Sequence, residues 1–421
     1  MAHDTFVIEG KTELHGEIHV NAAKNAALKI LAAALLSTEP CTIKNLPAIE
    51  DVRRIRELLA AIGVTTTENN TDIIVDPHTI STTSLDHHLV ERTRASILLA
   101  GPLLARTGEV IMPHPGGCNI GQRPINMFLD GFRALGITVE ERVDGYRLTT
   151  RQLKGGLVFL PWVSVTVTEE LMMTAVLAQG TTVIKNSALE PEVIALADYL
   201  NAQGARISGA GTPTIRIEGV QHIGGGSITL IPDRIEAGTF AILGALTNSE
   251  LTISNCEPAH LESLWLNLRR TGVPLTIGNN WVKTHRHDTL KAIEVRTHEY
   301  PGFVTDLQPP FTVLLTQAAG LSLVHETVFE GRLFYTDLLR AMGANIIMCD
   351  PHRVVVNGPA KLHGRYLTSP DLRAGMALVL AGIVAEGQTT IDNAYQVERG
   401  YENVVERLQA IGVRISRQAK T

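Results

Sequence analysis

Cysteine is scarce in this chain: Cys41, Cys118, Cys256 and Cys349 are the only four in 421 residues. No two stand at CxxC or CxxH spacing, which argues against a structural zinc site, and the density is too low for a disulfide framework. A reducing compartment is the natural reading. Basic excess is missing as well. Lys and Arg number 37 against 43 Asp and Glu, a net charge of −6, so a general nucleic-acid binder is not expected. Long apolar runs are also missing: the stretch 95–105 is interrupted by Gly101 and Pro102 and falls short of a membrane span. The first residues show no basic segment followed by an apolar run, so no signal peptide and no membrane insertion are expected, and a cytoplasmic location is. There is no GxxxxGK(S/T), no HExxH, no GxSxG and no Rossmann fingerprint. Trp162, Trp265 and Trp281 form no stacking array in sequence.

What is present is a large apolar fraction, 44% hydrophobic against 19% charged, enough for a folded core and two or three domains. The strongest global feature is repetition. Six amphipathic segments end in a glycine: 51–62 before Gly63, 125–135 before Gly136, 191–203 before Gly204, 260–271 before Gly272, 331–342 before Gly343 and 401–411 before Gly412. The glycines lie 73, 68, 68, 71 and 69 residues apart. Each sits where a left-handed helix cap is expected, and each is followed by a β-branched stretch that reads as a strand. A second helix precedes each segment, at 24–36, 92–105, 167–178, 234–246, 309–319 and 371–385. These helices are rich in Ala and Leu and nearly uncharged along much of their length, the pattern of a buried helix. Six units exceed one compact core. They are expected to divide three and three near residue 231, with residues 1–22 joining 232–421 in one discontinuous lobe and 23–231 forming the other. The first twenty residues are expected to supply strands to the C-terminal group, and a short connection should leave a cleft between lobes.

The chemistry-bearing residues interrupt this regular pattern. The run Pro113-His114-Pro115-Gly116-Gly117-Cys118-Asn119-Ile120-Gly121-Gln122-Arg123-Pro124 reads as a loop that sets a thiol near a cation. The starts of the buried helices carry Lys24-Asn25, Arg94, Asp233-Arg234, Thr305-Asp306 and Asp371-Leu372-Arg373. A lysine at a helix N-terminus opposes the dipole unless an anion binds there; the alternative for each such residue is a cap or a surface ion pair. If the units pack with pseudo-symmetry, these ends converge on an anion-binding centre. Arg123, Arg332 and Arg399 precede outer helices, and planar guanidinium groups suit carboxylate and phosphate.

The segments 21–28 (Asn-Ala-Ala-Lys-Asn-Ala-Ala-Leu), Arg94-Ala95-Ser96, 115–121, Pro232-Asp233-Arg234, Asp371-Leu372-Arg373 and Arg399-Gly400-Tyr401 together resemble the enolpyruvyl transferases, from residue 5 to about 415. The cysteine loop separates the branch that acts on UDP-N-acetylglucosamine from the shikimate-pathway relatives. The resemblance implies a two-lobed inside-out α/β barrel with three repeats per lobe, helices inside and sheets outside. It implies transfer of the enolpyruvyl group of phosphoenolpyruvate to the 3-hydroxyl of the sugar nucleotide, with release of phosphate and no metal or redox cofactor. By the same likeness Asp306 is the candidate base and Cys118 the candidate acid, as well as the expected target of the epoxide fosfomycin. Lys24, Asn25, Arg123, Arg332, Arg373 and Arg399 are assigned to phosphoenolpyruvate. Arg94, Arg123, Pro124, Ile125, Asn126, Met127, Trp162, Val163, Ser164, Val165, Asp306 and Val328 are assigned to the sugar nucleotide. The glycines of the cysteine loop suit closure over the cleft.

Three positions depart from the family pattern. Asn126 replaces an aspartate that faces the uracil, Trp162 a basic residue found in some members, and Leu189 a common arginine. They keep open a transfer to another uridine nucleotide. A regulatory paralogue that only binds the nucleotide is the non-enzymatic alternative, against which the retained Lys24, Cys118, Arg123, Asp306, Arg332, Arg373 and Arg399 weigh. Oligomeric state is not legible in the sequence.

Overall fold

The computed structural model describes residues 4–116 and 124–419. The chain divides into two compact units, one built from residues 4–21 and 232–419, the other from 22–116 and 124–231. Each unit has its own buried apolar cluster and its own three sheets.

The repeat is clearest where the chain runs unbroken. Strand Leu157–Phe159 leads to the inner helix Val165–Ala175, strand Thr181–Lys185, the outer helix Pro191–Ala202 and the hairpin strands Arg206–Ser208 and Thr214–Glu218. The first two strands pair in parallel and the hairpin closes the sheet antiparallel. The same plan, with the parallel strand at an edge, recurs in the sheet Glu294–Arg296, Gly320–His325, Arg353–Gly358 and Asn345–Asp350. All six capping glycines adopt positive φ, from 80° at Gly136 to 108° at Gly343, where a side chain would be strained. The spacing of about 70 residues is therefore the length of one β-α-β-α-β-β unit.

Two strands are exchanged between repeats. Glu17–His19 precedes the first inner helix, Lys24–Ala33, yet pairs with Leu251–Ser254 of the fourth repeat. Gly226–Thr229 precedes the fourth inner helix, Arg234–Leu246, yet pairs with Cys41–Lys44 of the first. The chain end is closed in a similar way: Thr5–Glu9 lies between Gln388–Asp392 and Arg414–Gln418 and completes the sixth repeat. Both strands of the first twenty residues thus belong to the unit formed by residues 232–419.

The inner helices are buried as their composition demands. Every residue of Arg234–Leu246 and of Gln308–Leu315 is buried, and in Leu372–Val384 only Val384 is not. These three helices pack on one another. The expectation of nearly uncharged inner helices needs correction in the other unit. Lys29, Glu169 and Glu170 are buried there, and Lys29 Nζ lies 3.1 Å from Glu169 Oε2. The local form also differs at two inner segments. Residues Arg94–Leu99 wind as a 3₁₀ helix before the α-helix Ala100–Thr107, and Thr305–Leu307 do so before Gln308–Leu315. Each tighter turn alters the amides presented at the helix start.

Candidate active site

The unit containing residues 232–419 gathers charge at the starts of its inner helices. Asp306 belongs to the Thr305–Leu307 turn, and its side chain retains 22% exposure. Arg332 Nη1 donates to Asp306 Oδ1 at 2.8 Å. Arg373, in the first turn of Leu372–Val384, donates to Oδ2 from Nε at 3.0 Å and from Nη2 at 2.9 Å. Residues up to 67 positions apart thus form one carboxylate clamped by two buried guanidinium groups through charge-assisted hydrogen bonds, so that removing any one partner leaves a buried charge uncompensated.

The surroundings hold the arginines in place. Burial opposes the charge on Arg373, but the Asp306 carboxylate outweighs it and raises its pKa beyond the ordinary value. Arg373 also lies 5.6 Å from the centroid of the Tyr401 ring and donates from Nη1 to the Tyr401 hydroxyl at 3.3 Å. Burial raises the Tyr401 pKa, so this hydroxyl stays a neutral partner. Arg332 stacks 5.1 Å from the centroid of Phe329. Among the described residues its buried Nε makes no hydrogen bond. Two of the acidic helix starts are caps: Asp233 accepts from the amides of Ile235 and Glu236, and Asp371 from those of Arg373 and Ala374. Asp371 thereby fixes the turn from which Arg373 projects. Arg399 is the C-cap of the short helix Tyr395–Glu398, with Nη1 3.2 Å from Gln396 Oε1. Val328 is half-buried, in the turn that leads to Arg332.

In the other unit Lys24 opens the helix Lys24–Ala33, whose N-cap, Ala23, supplies no side-chain acceptor. Lys24 Nζ pairs with Asp51 Oδ2 at 2.7 Å, and Asn25 follows in the same first turn. Arg94 begins the 3₁₀ segment, with Thr93 Oγ1 accepting from the Ala95 amide. Ile125 and Met127 are buried, while Pro124 and Asn126 are exposed, so a ligand here would meet Asn126 by its side chain and its neighbours by their backbone. Helix Asn126–Ala134 packs on Val165–Ala175, where a Cβ on Gly131 would come 2.6 Å from Leu171 Cδ1. Ser164 caps the second of these helices on Val167 N, next to Val163 and Val165, and Trp162 is 54% exposed just before it. Cys118 and Arg123 lie outside the described residues.

The profile of the EPSP synthase (3-phosphoshikimate 1-carboxyvinyltransferase) family matches residues 8–408. The chain belongs to this family of enolpyruvyl transferases. Among its relatives is a protein of Desulfosudis oleivorans named UDP-N-acetylglucosamine 1-carboxyvinyltransferase, 42% identical over 98% of this chain and 99% of its own length. Another, from Geobacillus kaustophilus and named UDP-N-acetylglucosamine 1-carboxyvinyltransferase 2, is 43% identical over 99% of this chain and 97% of its own. Among solved structures, the enolpyruvyl transferase NikO from Streptomyces tendae aligns over 100% of both chains with a TM-score of 0.90 and 26% identity. The EPSP synthase of Acinetobacter baumannii, at 18% identity and a TM-score of 0.76 over 99% of this chain and 100% of its own, shares the fold. The β-α-β-α-β-β repeat around buried helices, reduced to a three-stranded sheet in the second repeat among the described residues, is thus the enolpyruvyl transferase fold.

Reading the sequence missed four members of the clusters. Asp51, the partner of Lys24, reads as an ordinary first-turn acid of the helix Glu50–Ala61. Tyr401 stands in the segment Arg399-Gly400-Tyr401 and Thr305 beside Asp306, and neither carries a signal of its own. Glu326 carried no signal at all, since a carboxylate beside a strand end is normally solvated.

Proposed function

We propose that this enolpyruvyl transferase moves the enolpyruvyl group of phosphoenolpyruvate to the 3-hydroxyl of UDP-N-acetylglucosamine and releases phosphate, the first committed step of peptidoglycan synthesis, in the cytoplasm. The observation that carries the reading is the 42% identity, over nearly full length, to proteins named for that reaction. No helix among the described residues is long and apolar enough to cross a membrane.

The chemistry assigns roles. Asp306 takes the proton of the acceptor hydroxyl, and the oxygen adds to the substituted carbon of phosphoenolpyruvate. Cys118 donates a proton to the methylene carbon. The C–O bond to phosphate then breaks and a proton leaves the new methyl group, which restores the double bond. Lys24, Arg123 and Arg399 hold the phosphate side, Asn25 lies beside phosphoenolpyruvate, and Arg332 and Arg373 meet the carboxylate and developing charge. The clamp on Asp306 supports this division. An anionic substrate competes with Asp306 for Arg332 and Arg373, which frees the carboxylate to act as a base as the substrate arrives. Arg94, Pro124, Ile125, Asn126, Met127, Trp162, Val163, Ser164, Val165 and Val328 serve the nucleotide side.

The test is phosphate release from phosphoenolpyruvate in the presence of UDP-N-acetylglucosamine, run beside Cys118→Ala and with fosfomycin. Acceptor-dependent release, lost in the variant and blocked irreversibly by the epoxide, is expected. Release with UMP instead would keep the chemistry and change the acceptor. Tight nucleotide binding with no release would make the chain a binding protein.

A further inference from the structure

A second carboxylate lies behind the Asp306 clamp. Glu326 follows the strand Gly320–His325 and is 0% exposed. A wholly buried carboxylate is unfavourable unless hydrogen bonds replace its hydration. Here they do. Oε1 accepts from Val328 N at 2.9 Å, Phe329 N at 3.1 Å and Thr297 Oγ1 at 3.1 Å. Oε2 accepts from Thr305 Oγ1 at 2.8 Å. Its backbone is pinned on both sides by His352, with Glu326 N donating to His352 O and His352 Nδ1 bonded to Glu326 O, each at 2.7 Å.

These bonds lead to the candidate catalytic residue. Thr305 Oγ1 gives its hydrogen to Glu326 and accepts from Arg332 Nη1 at 3.1 Å, while the same Nη1 donates to Asp306 Oδ1. The chain of donors runs in one direction, from guanidinium to hydroxyl to carboxylate. A charged terminal acceptor polarises the hydroxyl and strengthens the bond before it. On its other oxygen, Glu326 holds the amides of the turn at Val328 and Phe329 that leads to Arg332. One buried carboxylate therefore ties the backbone next to Asp306 to the backbone that carries Arg332.

We infer that Glu326 is a positioning residue of the transfer reaction, acting through Thr305 to fix Arg332 against Asp306 and through the Val328 amide to fix the adjoining turn. The inference rests on the reading of Asp306 and Arg332 given above. A group held to within a few tenths of an ångström matters because small misplacements cost large rate factors.

Glu326→Gln keeps the size and one acceptor oxygen, but its amide nitrogen faces the Thr305 oxygen as a second donor. It is expected to lower kcat about 10- to 100-fold, with a smaller rise in KM for phosphoenolpyruvate. Thr305→Val removes the relay and should lower kcat in the same range, while Thr305→Ser keeps the hydroxyl and should recover wild-type kcat to within about 3-fold. The double variant Glu326→Gln/Thr305→Val should be no slower than the slower single one, because both break the same chain. Folded fraction is measured for each by thermal unfolding. Full kcat in Thr305→Val, additive losses in the double variant, or losses that only follow the folded fraction would overturn the inference. Asp306→Asn serves as the reference. An inactive Asp306→Asn beside a fully active Thr305→Val would sink the relay and leave the functional reading intact. A wild-type protein without acceptor-dependent release would overturn the reading and the inference with it.

Discussion

Asp306 and Glu170 are both carboxylates at the heart of a unit, and their surroundings treat them in opposite ways. Asp306 stands at the start of its helix, partly exposed, with two guanidinium groups compensating its charge. Glu170 stands in the body of Val165–Ala175, wholly buried, and among the described residues its carboxylate accepts only the Gly101 amide, at 2.5 Å. Burial pushes its pKa up to about 8, eased by that amide and raised further by Glu169 beside it. Glu169 rises to about 7, because burial outweighs the help of Lys29. At the helix end the Asp306 carboxylate stays partly accessible and is paired by two arginines, as an anion site requires. Charge in the helix bodies sits where neutral forms are favoured and joins inner helices to one another. Lys29–Glu169 links the first helix to the third, and the Gly101 amide on Glu170 links the second to the third.

The difference can be broken most directly at the helix end. Asp306→Asn should lower acceptor-dependent phosphate release about 10²- to 10⁴-fold. The substitution leaves two buried guanidinium groups short of counter-charge, so folded fraction is measured alongside; a loss no larger than the drop in folded protein would refute a chemical role. Arg373→Lys keeps the charge and loses the two-pronged contact to Asp306 Oδ2. It should cost about 10²-fold in kcat/KM for phosphoenolpyruvate, and an unchanged value would mean that planar geometry is irrelevant there.

The helix bodies should respond in stability instead. A Cβ on Gly101 would lie 2.0 Å from Thr174 Oγ1 and 2.7 Å from Glu170 Oε1. Gly101→Ala is therefore expected to destabilise by about 1–3 kcal/mol through overpacking, read as a lowered unfolding midpoint with turnover per folded molecule retained. The second stability effect is a pH dependence. The Glu170 pKa is raised in the folded state from an ordinary 4.5 to about 8, so the folded protein keeps a proton that the unfolded chain releases. Stability contributed by this group is full below about pH 4.5 and declines as pH rises towards 8. Glu170→Gln removes the ionisation. It should stabilise the protein relative to wild type more at pH 8 than at pH 5, measured by denaturant unfolding at both values. An equal difference at both pH values would show that Glu170 does not titrate in this window.

Much of this arrangement was legible before any coordinates. The six glycines at steady spacing marked the repeats, because a left-handed cap strongly favours glycine and so leaves a periodic trace. Alanine- and leucine-rich helices announced burial by composition. Lys24, Asp306 and Arg373 were visible because a charge at the edge of an apolar run is conspicuous. Local winding was not legible: the 3₁₀ turns at Arg94–Leu99 and Thr305–Leu307 run directly into α-helices, and no residue type marks the change. The buried glutamates were not legible either, since one polar letter in a buried helix reads as an interruption until its partner is known.

The sequence by itself determined the repeat, the identity of the inner helices and the residue types able to hold an anion, because each is set by local backbone preference or by composition. Tertiary structure decided which strand completes which repeat, so that Glu17–His19 serves the fourth and Gly226–Thr229 the first. It also decided that Asp306 meets Arg332 and Arg373, and that Glu326 ends as a buried acceptor behind Thr305. These are pairings between distant segments. Their partners are chosen by the packing of buried helices and by the need to satisfy every buried polar group, and neither leaves a periodic mark along the chain.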